Sequence, residues 1–176
     1  MGRFRKFAIN ENTALTVAVG DELGSTVGEG VYPYRNVEGS SVLSFYGTRE
    51  DGTEGVIGNP IPKYYGGLTT TLSWKKLSVE ALIDGAAGFD ILDFASMING
   101  QKEPYAVMEK FIHKGDYLRL RRVSAGYDFG KVALTLSGLN LLTLATYAGE
   151  SPDVGGIDYG CSPYVRTVML GVNLKF

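Results

Sequence analysis

The chain has 176 residues, enough for one ordinary domain with a core, and it carries 24 glycines, 11 tyrosines and 8 phenylalanines. That glycine content is about twice the usual ~7 % and suits a β-rich chain with long loops, not a helical bundle. A net charge of −2 leaves no electrostatic case for nucleic acid, and no apolar run approaches the ~18 residues of a transmembrane helix.

The start, Met1-Gly2-Arg3-Phe4-Arg5-Lys6-Phe7, is positively charged but has no apolar segment behind it, so no signal peptide is predicted there. Arg3 to Ile9 reads as the end of a strand, and Asn10-Glu11-Asn12 as a turn. Thr13 to Val19 alternates, with Leu15, Val17 and Val19 on one face. From Gly20 to Tyr65 the pattern dissolves into Gly, Ser, Pro and charges, with a short strand at Val42–Tyr46. Asp51-Gly52-Thr53-Glu54-Gly55 is turn chemistry and lacks the ligand spacing of a calcium loop.

Alternation returns at Leu68, Thr70, Leu72 and Trp74. Lys75-Lys76 makes a tight turn, and Leu77, Val79, Ala81 and Ile83 then share a face, with Leu82 the one exception. Two such runs joined by so few residues predict a hairpin, with Trp74 beside its turn, where a membrane interface favours Trp. Gly85 to Asp116 is a second long irregular stretch, with a short helix within Phe89–Ile98.

Tyr117 to Phe129 is a strand whose phase slips: Leu118 and Leu120 lie on one parity, Val123, Ala125, Tyr127 and Phe129 on the other. Either a bulge near Arg121-Arg122 reconciles them, or the first half stands above the membrane. Gly130-Lys131 is a short turn. Val132, Leu134 and Leu136 alternate again, while Leu139–Leu144 is apolar on both parities and its facing is open. Thr143 to Pro163 is a third long loop.

The last stretch, Tyr164 to Phe176, places Val168, Leu170, Val172, Leu174 and Phe176 on one face, with Thr167, Met169, Gly171, Asn173 and Lys175 opposite. It is long enough to cross a bilayer, where a tilted strand needs about 9–11 residues. The connections alternate short, long, short, long along the chain. Transmembrane barrels of bacterial outer membranes sort their connections in that way, with short periplasmic turns and long extracellular loops. The predicted fold is therefore all-β: an antiparallel transmembrane β-barrel segment of about seven strands, with Phe176 at the periplasmic side.

Several boxes resemble one family. Gly58-Asn59-Pro60-Ile61-Pro62-Lys63-Tyr64-Tyr65-Gly66-Gly67 is similar to the GNPxPKxxGG box of SusC/RagA-type TonB-linked outer-membrane proteins of Bacteroidetes, and Ser44-Phe45-Tyr46-Gly47 with Asp51-Gly52 to the FYGYxxDG before it. Gly115 to Tyr127 resembles FLRLKNVTLGY. Gly138-Leu139-Asn140-Leu141-Leu142-Thr143, with Tyr147-Ala148-Gly149 and Ser151-Pro152-Asp153, resembles GxNLFTWTxYxGxDPE. Arg166 to Phe176 resembles the closing RTFTFGLNVTF strand. The boxes come in family order over roughly residues 40 to 176. Two departures stand out: the acidic segment before GNPxPK is cut to Asp51–Gly55, and Pro152-Asp153 lacks the Glu that usually follows.

The resemblance implies that residues 1–176 are the C-terminal part of a TonB-dependent receptor barrel of about 22 strands, without its plug and N-terminal strands. It implies nutrient uptake, as glycan or peptide import, across the cell outer membrane, with TonB acting through the absent N-terminal part. A SusD-like surface lipoprotein, the barrel-assembly machinery and outer-membrane lipid are the implied partners. Phe176 resembles the terminal aromatic that the assembly machinery reads, and the loop aromatics Phe94, Tyr105, Tyr147 and Tyr159 are candidate ligand or lid contacts against the commoner role of loop packing.

No enzyme activity, metal or cofactor is expected. His113 is the only histidine and Cys161 the only cysteine, too few for a metal cluster, an internal disulfide or a triad. Asp90 and Asp93 read as a solvated loop pair, and Gly24–Gly30 lacks the strand-then-helix phosphate motif. Two alternatives remain open: a complete small barrel with an eighth strand within Val31–Tyr46, and a soluble β-sandwich that binds carbohydrate.

Overall fold

The computed structural model describes residues 4–10, 13–18 and 22–23 by backbone course alone, and residues 32–99 and 107–175 in full. In chain order the strands are β1 (Phe4–Asn10), β2 (Thr13–Ala18), β3 (Glu22–Leu23), β4 (Tyr34–Arg35), β5 (Ser44–Thr48), β6 (Glu54–Gly58), β7 (Tyr64–Trp74) and β8 (Leu77–Ala87). There follow β9 (Asp90–Asp93), helix α1 (Phe94–Asn99), a 3-10 turn (Met108–Phe111), β10 (Ile112–Lys114), β11 (Tyr117–Asp128), β12 (Val132–Ala145), β13 (Ile157–Asp158) and β14 (Thr167–Leu174).

The five long strands form one sheet in the order β14-β12-β11-β8-β7, antiparallel throughout. β1 and β2 form a hairpin of their own. Together these are the seven long-strand positions that alternation predicts. The predicted fold class holds: the long strands pair antiparallel, with short turns at one end and long connections at the other.

Register shows why the alternation is so regular. Leu72 stands opposite Val79, Val79 opposite Ala125, Ala125 opposite Leu136, and Leu136 opposite Leu170. The next row runs Trp74, Leu77, Tyr127, Leu134, Val172. Period-2 patterning on each strand thus adds up to one apolar face across all five. The other face carries Thr71, Glu80, Ser124, Ser137 and Met169 in one row.

The phase slip in β11 is a bulge. Leu120 pairs with Ile83 and Leu142, while Arg122 pairs with Leu82 and Leu139. Arg121 is the extra residue, so Leu118 and Leu120 return to the apolar face alongside Ile83 and Leu142. On β12 the compensating irregularity falls at Asn140, whose φ is 52°, a left-handed position that Asn tolerates better than most residues. That settles the facing of Leu139–Leu144: Leu142 and Leu144 continue the apolar face opposite Leu120 and Leu118, and Leu139 lies on the other.

The three long connections are not irregular, which corrects the sequence reading. They fold together into a cap at one end of the sheet. One part is the sheet β3-β4-β5-β6, the other the sheet β10-β9-β13, in which β13 runs parallel to β9. The short helix predicted within Phe89–Ile98 exists only from Phe94; the residues before it form β9. The side chain of Asp93 accepts the Ser96 amide at 2.9 Å and so caps α1. β4 and β5 occupy Val31–Tyr46, where an eighth barrel strand was the alternative, but they belong to the cap and not to the long sheet.

The cap holds the molecule's buried core. Phe45, Leu92, Phe94, Met97, Met108 and Ile157 form one cluster. Ala86, Phe89, Ile91 and Tyr147 form a second that ties the cap to the top of β8 and to Tyr117 of β11. Gly115 sits under the Phe89 ring, where a Cβ would lie 2.3 Å from a ring carbon, so only glycine lets β10 turn into β11 against that ring.

Candidate functional site: the polar face beneath the cap

On the polar face the three arginines of the Gly115–Tyr127 box meet acids from the neighbouring strand β8 and from the cap. Arg121 makes a bidentate pair with Asp84, at 2.9 and 2.8 Å, and Arg122 bonds Glu80. Both guanidinium groups are about half exposed, so each pair adds little stability, of the order of 1 kcal/mol or less.

Arg119 differs. It is 0 % exposed and lies where β11 passes under the loop between β12 and β14. Its guanidinium carbon is 5.0 Å from the Tyr117 ring centroid and 4.3 Å from that of Tyr164. Nη2 donates to Asp153 at 3.3 Å, with Asp84 at 3.9 Å. Among the described residues Nε and Nη1 have no hydrogen-bond partner. A buried cation between two rings, with a carboxylate from the loop above and one from the strand beside it, fixes the loop to the sheet. Sequence reasoning placed Arg119 in a recognised box but not at this junction; alternation alone does not say what a loop 34 residues away will cover.

The carboxylates in the cap are structural. Asp90 accepts the Asn59 amide and pairs with Lys114 at 2.7 Å. Asp51 accepts from both the amide and the hydroxyl of Thr53, closing its own turn. Asp158 is buried and accepts the Tyr147 hydroxyl and the amides of Gly160 and Cys161, all within 3.0 Å. Burial pulls the Asp158 pKa upward, but the bonds from Cys161, Tyr147 and Gly160 outweigh it and hold the carboxyl below its ordinary 3.8. Burial, and then the bond to Asp158, pushes the Tyr147 phenol up.

A depressed carboxyl stabilises the folded form fully above its unfolded value of 3.8, and that stabilisation disappears as pH falls through the lower folded value. Proteolysis of the 146–166 loop is therefore expected to accelerate below about pH 4, and the Asp158→Asn protein should show no such step. An identical acid step in both proteins would exclude Asp158 as its origin.

Of the loop aromatics named from sequence, Phe94 and Tyr147 lie inside the cap, in the commoner role of loop packing. Phe94 packs edge-on to Tyr159, with centroids 5.3 Å apart, and the Tyr147 ring is buried with its hydroxyl on Asp158. Tyr159 is 58 % exposed and presents its ring at the cap surface. Tyr105 and Phe176 lie outside the described residues. His113 is exposed and 5.8 Å from the Tyr147 ring. Among the described residues no three metal-binding side chains converge, and no helix is long and apolar enough to cross a membrane.

No family model matches the chain. It is similar to TonB-dependent receptor P3 of Formosa agariphila, at 29 % identity over 170 aligned positions covering 69 % of this chain and 17 % of that protein. Its fold matches the RagAB peptide transporter at a TM-score of 0.63 and 15 % identity, over 98 % of this chain and 28 % of that one. It also matches the RagAB peptide importer in its open-open state, at a TM-score of 0.55 and 16 % identity, over 98 % and 22 % of the two chains. The chain thus spans between 17 % and 28 % of the length of these relatives. These likenesses bear out the β-barrel fold class and accord with the SusC/RagA-type resemblance of the boxes.

Proposed function

We propose that this chain forms part of the wall and the outer cap of a TonB-dependent outer-membrane transporter that imports glycans or peptides. One observation supports this above all: the large apolar side chains of the long sheet face outward with nothing upon them. Leu170 is 71 % exposed and Leu72 68 %, while the buried core lies in the cap. A water-soluble sandwich covers such a face with a second sheet; among the described residues none lies there. Hydrocarbon is the solvent in which that face costs nothing and in which every strand group pairs with a neighbour.

In this reading the polar face, with its Arg–Asp and Arg–Glu pairs, lines the lumen. The cap stands at the extracellular end, where a SusD-like lipoprotein lid would sit and where Tyr159 is placed to meet lid or ligand. TonB would act through a segment beyond these residues, and Phe176 would be read by the barrel-assembly machinery. The two free edges of the sheet, β7 and β14, are where further strands would continue the wall.

The test is partition in cells. The chain, expressed in its natural context, is expected in the outer-membrane fraction, resistant to alkaline carbonate and released by detergent together with a surface lipoprotein. A compact monomer recovered in plain buffer would overturn the assignment.

A further inference from the structure

We propose that the turn end of the sheet recognises the head groups of anionic glycerophospholipids in the membrane leaflet that meets it. This rests on the membrane reading above and goes beyond it by naming the lipid class.

The two ends of the described structure differ in charge. The cap connections at residues 32–63, 88–99, 107–116 and 146–166 hold eleven carboxylates against six cations. The turn end holds Lys75, Lys76, Lys131 and Lys175 against Asp128. Among residues 32–99 and 107–175 the cap connections thus carry an excess of negative charge and the turns an excess of positive charge. Asp128 is already engaged: it bonds Lys175 at 2.6 Å and the Gly130 amide at 2.7 Å. Lys75, Lys76 and Lys131 are exposed and make no salt bridge among the described residues.

Backbone pairing keeps these lysines close together. The Asp128 amide donates to the Lys76 carbonyl at 2.9 Å and the Lys175 amide to the Lys131 carbonyl at 2.9 Å. The turns therefore stand side by side, about two strand spacings or roughly 10 Å apart. Lys75 keeps a φ of 53°, a position that suits glycine or asparagine better, and its ammonium lies 5.2 Å from the Trp74 ring centroid.

The neighbouring apolar face decides the kind of anion. Trp74 and Tyr127 share the row nearest these turns, and Phe129 packs on Tyr127 with centroids 4.6 Å apart. Rings of this kind settle at head-group depth, with the lysine stems running past them to the phosphate plane. A ligand that fits carries acyl chains against the rings and a phosphate at the ammonium groups, with net negative charge. Inorganic phosphate lacks the first feature and a zwitterionic lipid the third.

Trp74 is the only tryptophan and adjoins Lys75, so its fluorescence reports on this rim directly. The full chain is reconstituted in phosphatidylcholine vesicles with a minor fraction of phosphatidylglycerol. Bromine quencher is placed on the acyl chains of one lipid or of the other at equal mole fraction. Brominated phosphatidylglycerol is expected to quench Trp74 more than brominated phosphatidylcholine, by about twofold or more. The excess should vanish in the triple variant K75N/K76Q/K131Q, in which Asn keeps the left-handed turn position. It should survive in K110Q, at the cap end, and under added inorganic phosphate at matched ionic strength. Equal quenching by the two lipids overturns the proposal and leaves the membrane reading standing. No quenching by either overturns both.

Discussion

Replacing Phe45 with alanine is expected to open the cap while leaving the long sheet paired. Phe45 is 0 % exposed. It stacks on Tyr34 at 5.2 Å between centroids and clusters with Leu92, Met97, Met108 and Ile157. These partners come from three separate connections of the chain. A Phe→Ala change at such a site removes a buried ring and leaves a cavity, at a cost of about 3–5 kcal/mol. The cap has two small clusters, so a loss of that size is large against its local stability. Hydrogen exchange is the direct measure: amides of β5, β6, β9 and β10 should lose protection, and those of β8, β11 and β12 should keep it. Equal loss across both sets would mean that cap and sheet form one cooperative unit, against the separation drawn here.

The second large effect separates the two faces of the sheet. Leu170 and Met169 are neighbours in β14, and both are well exposed in the described structure. Leu170 stands opposite Leu136 on the apolar face; Met169 stands opposite Ser137 on the face that carries Glu80 and Arg122. Leu170→Arg is expected to cost roughly 2–4 kcal/mol in a bilayer, as a guanidinium on the lipid side does at depth. Met169→Arg should cost less than about 1 kcal/mol, because that face is hydrated. Urea titration of each protein refolded into vesicles reads the difference. Matching losses would mean that the two faces meet the same solvent, and the wall assignment would fall. In detergent-free buffer neither substitution has a hydrocarbon to enter, so the contrast should disappear there.

The long sheet was legible because each strand is an independent record of a single fact. Leu68, Leu72, Leu77, Val79, Leu134, Leu136, Leu170 and Val172 repeat at a period of two, and a period of two has one geometric meaning. The phase slip in β11 was legible for the same reason, but the sequence left a bulge near Arg121-Arg122 and a first half above the membrane as alternatives, and the register decided for the bulge. The facing of Leu139–Leu144 was not, since both parities are apolar there and the left-handed Asn140 leaves no periodic trace. The cap was not legible either. Phe45, Leu92, Met97 and Ile157 lie in connections without periodicity, and their burial depends on segments more than a hundred residues apart meeting at one place.

The candidate site divides along the same line. That Arg119, Arg121 and Arg122 share a strand with a polar face was readable from the box around them. That Arg121 takes Asp84, that Arg122 takes Glu80 and that Arg119 disappears under Asp153 and Tyr164 depended on register and on a loop's path. For Phe94 and Tyr147 the sequence offered both loop packing and ligand or lid contact, and their interior positions came from the tertiary structure, since a loop position in sequence carries no information on depth. The sequence by itself determined the strand faces and the solvent each prefers, because alternation is a local property of the extended backbone. Tertiary structure alone decided what the connections bury and which charges they pin, because loop packing is a sum of long-range contacts that no local pattern encodes.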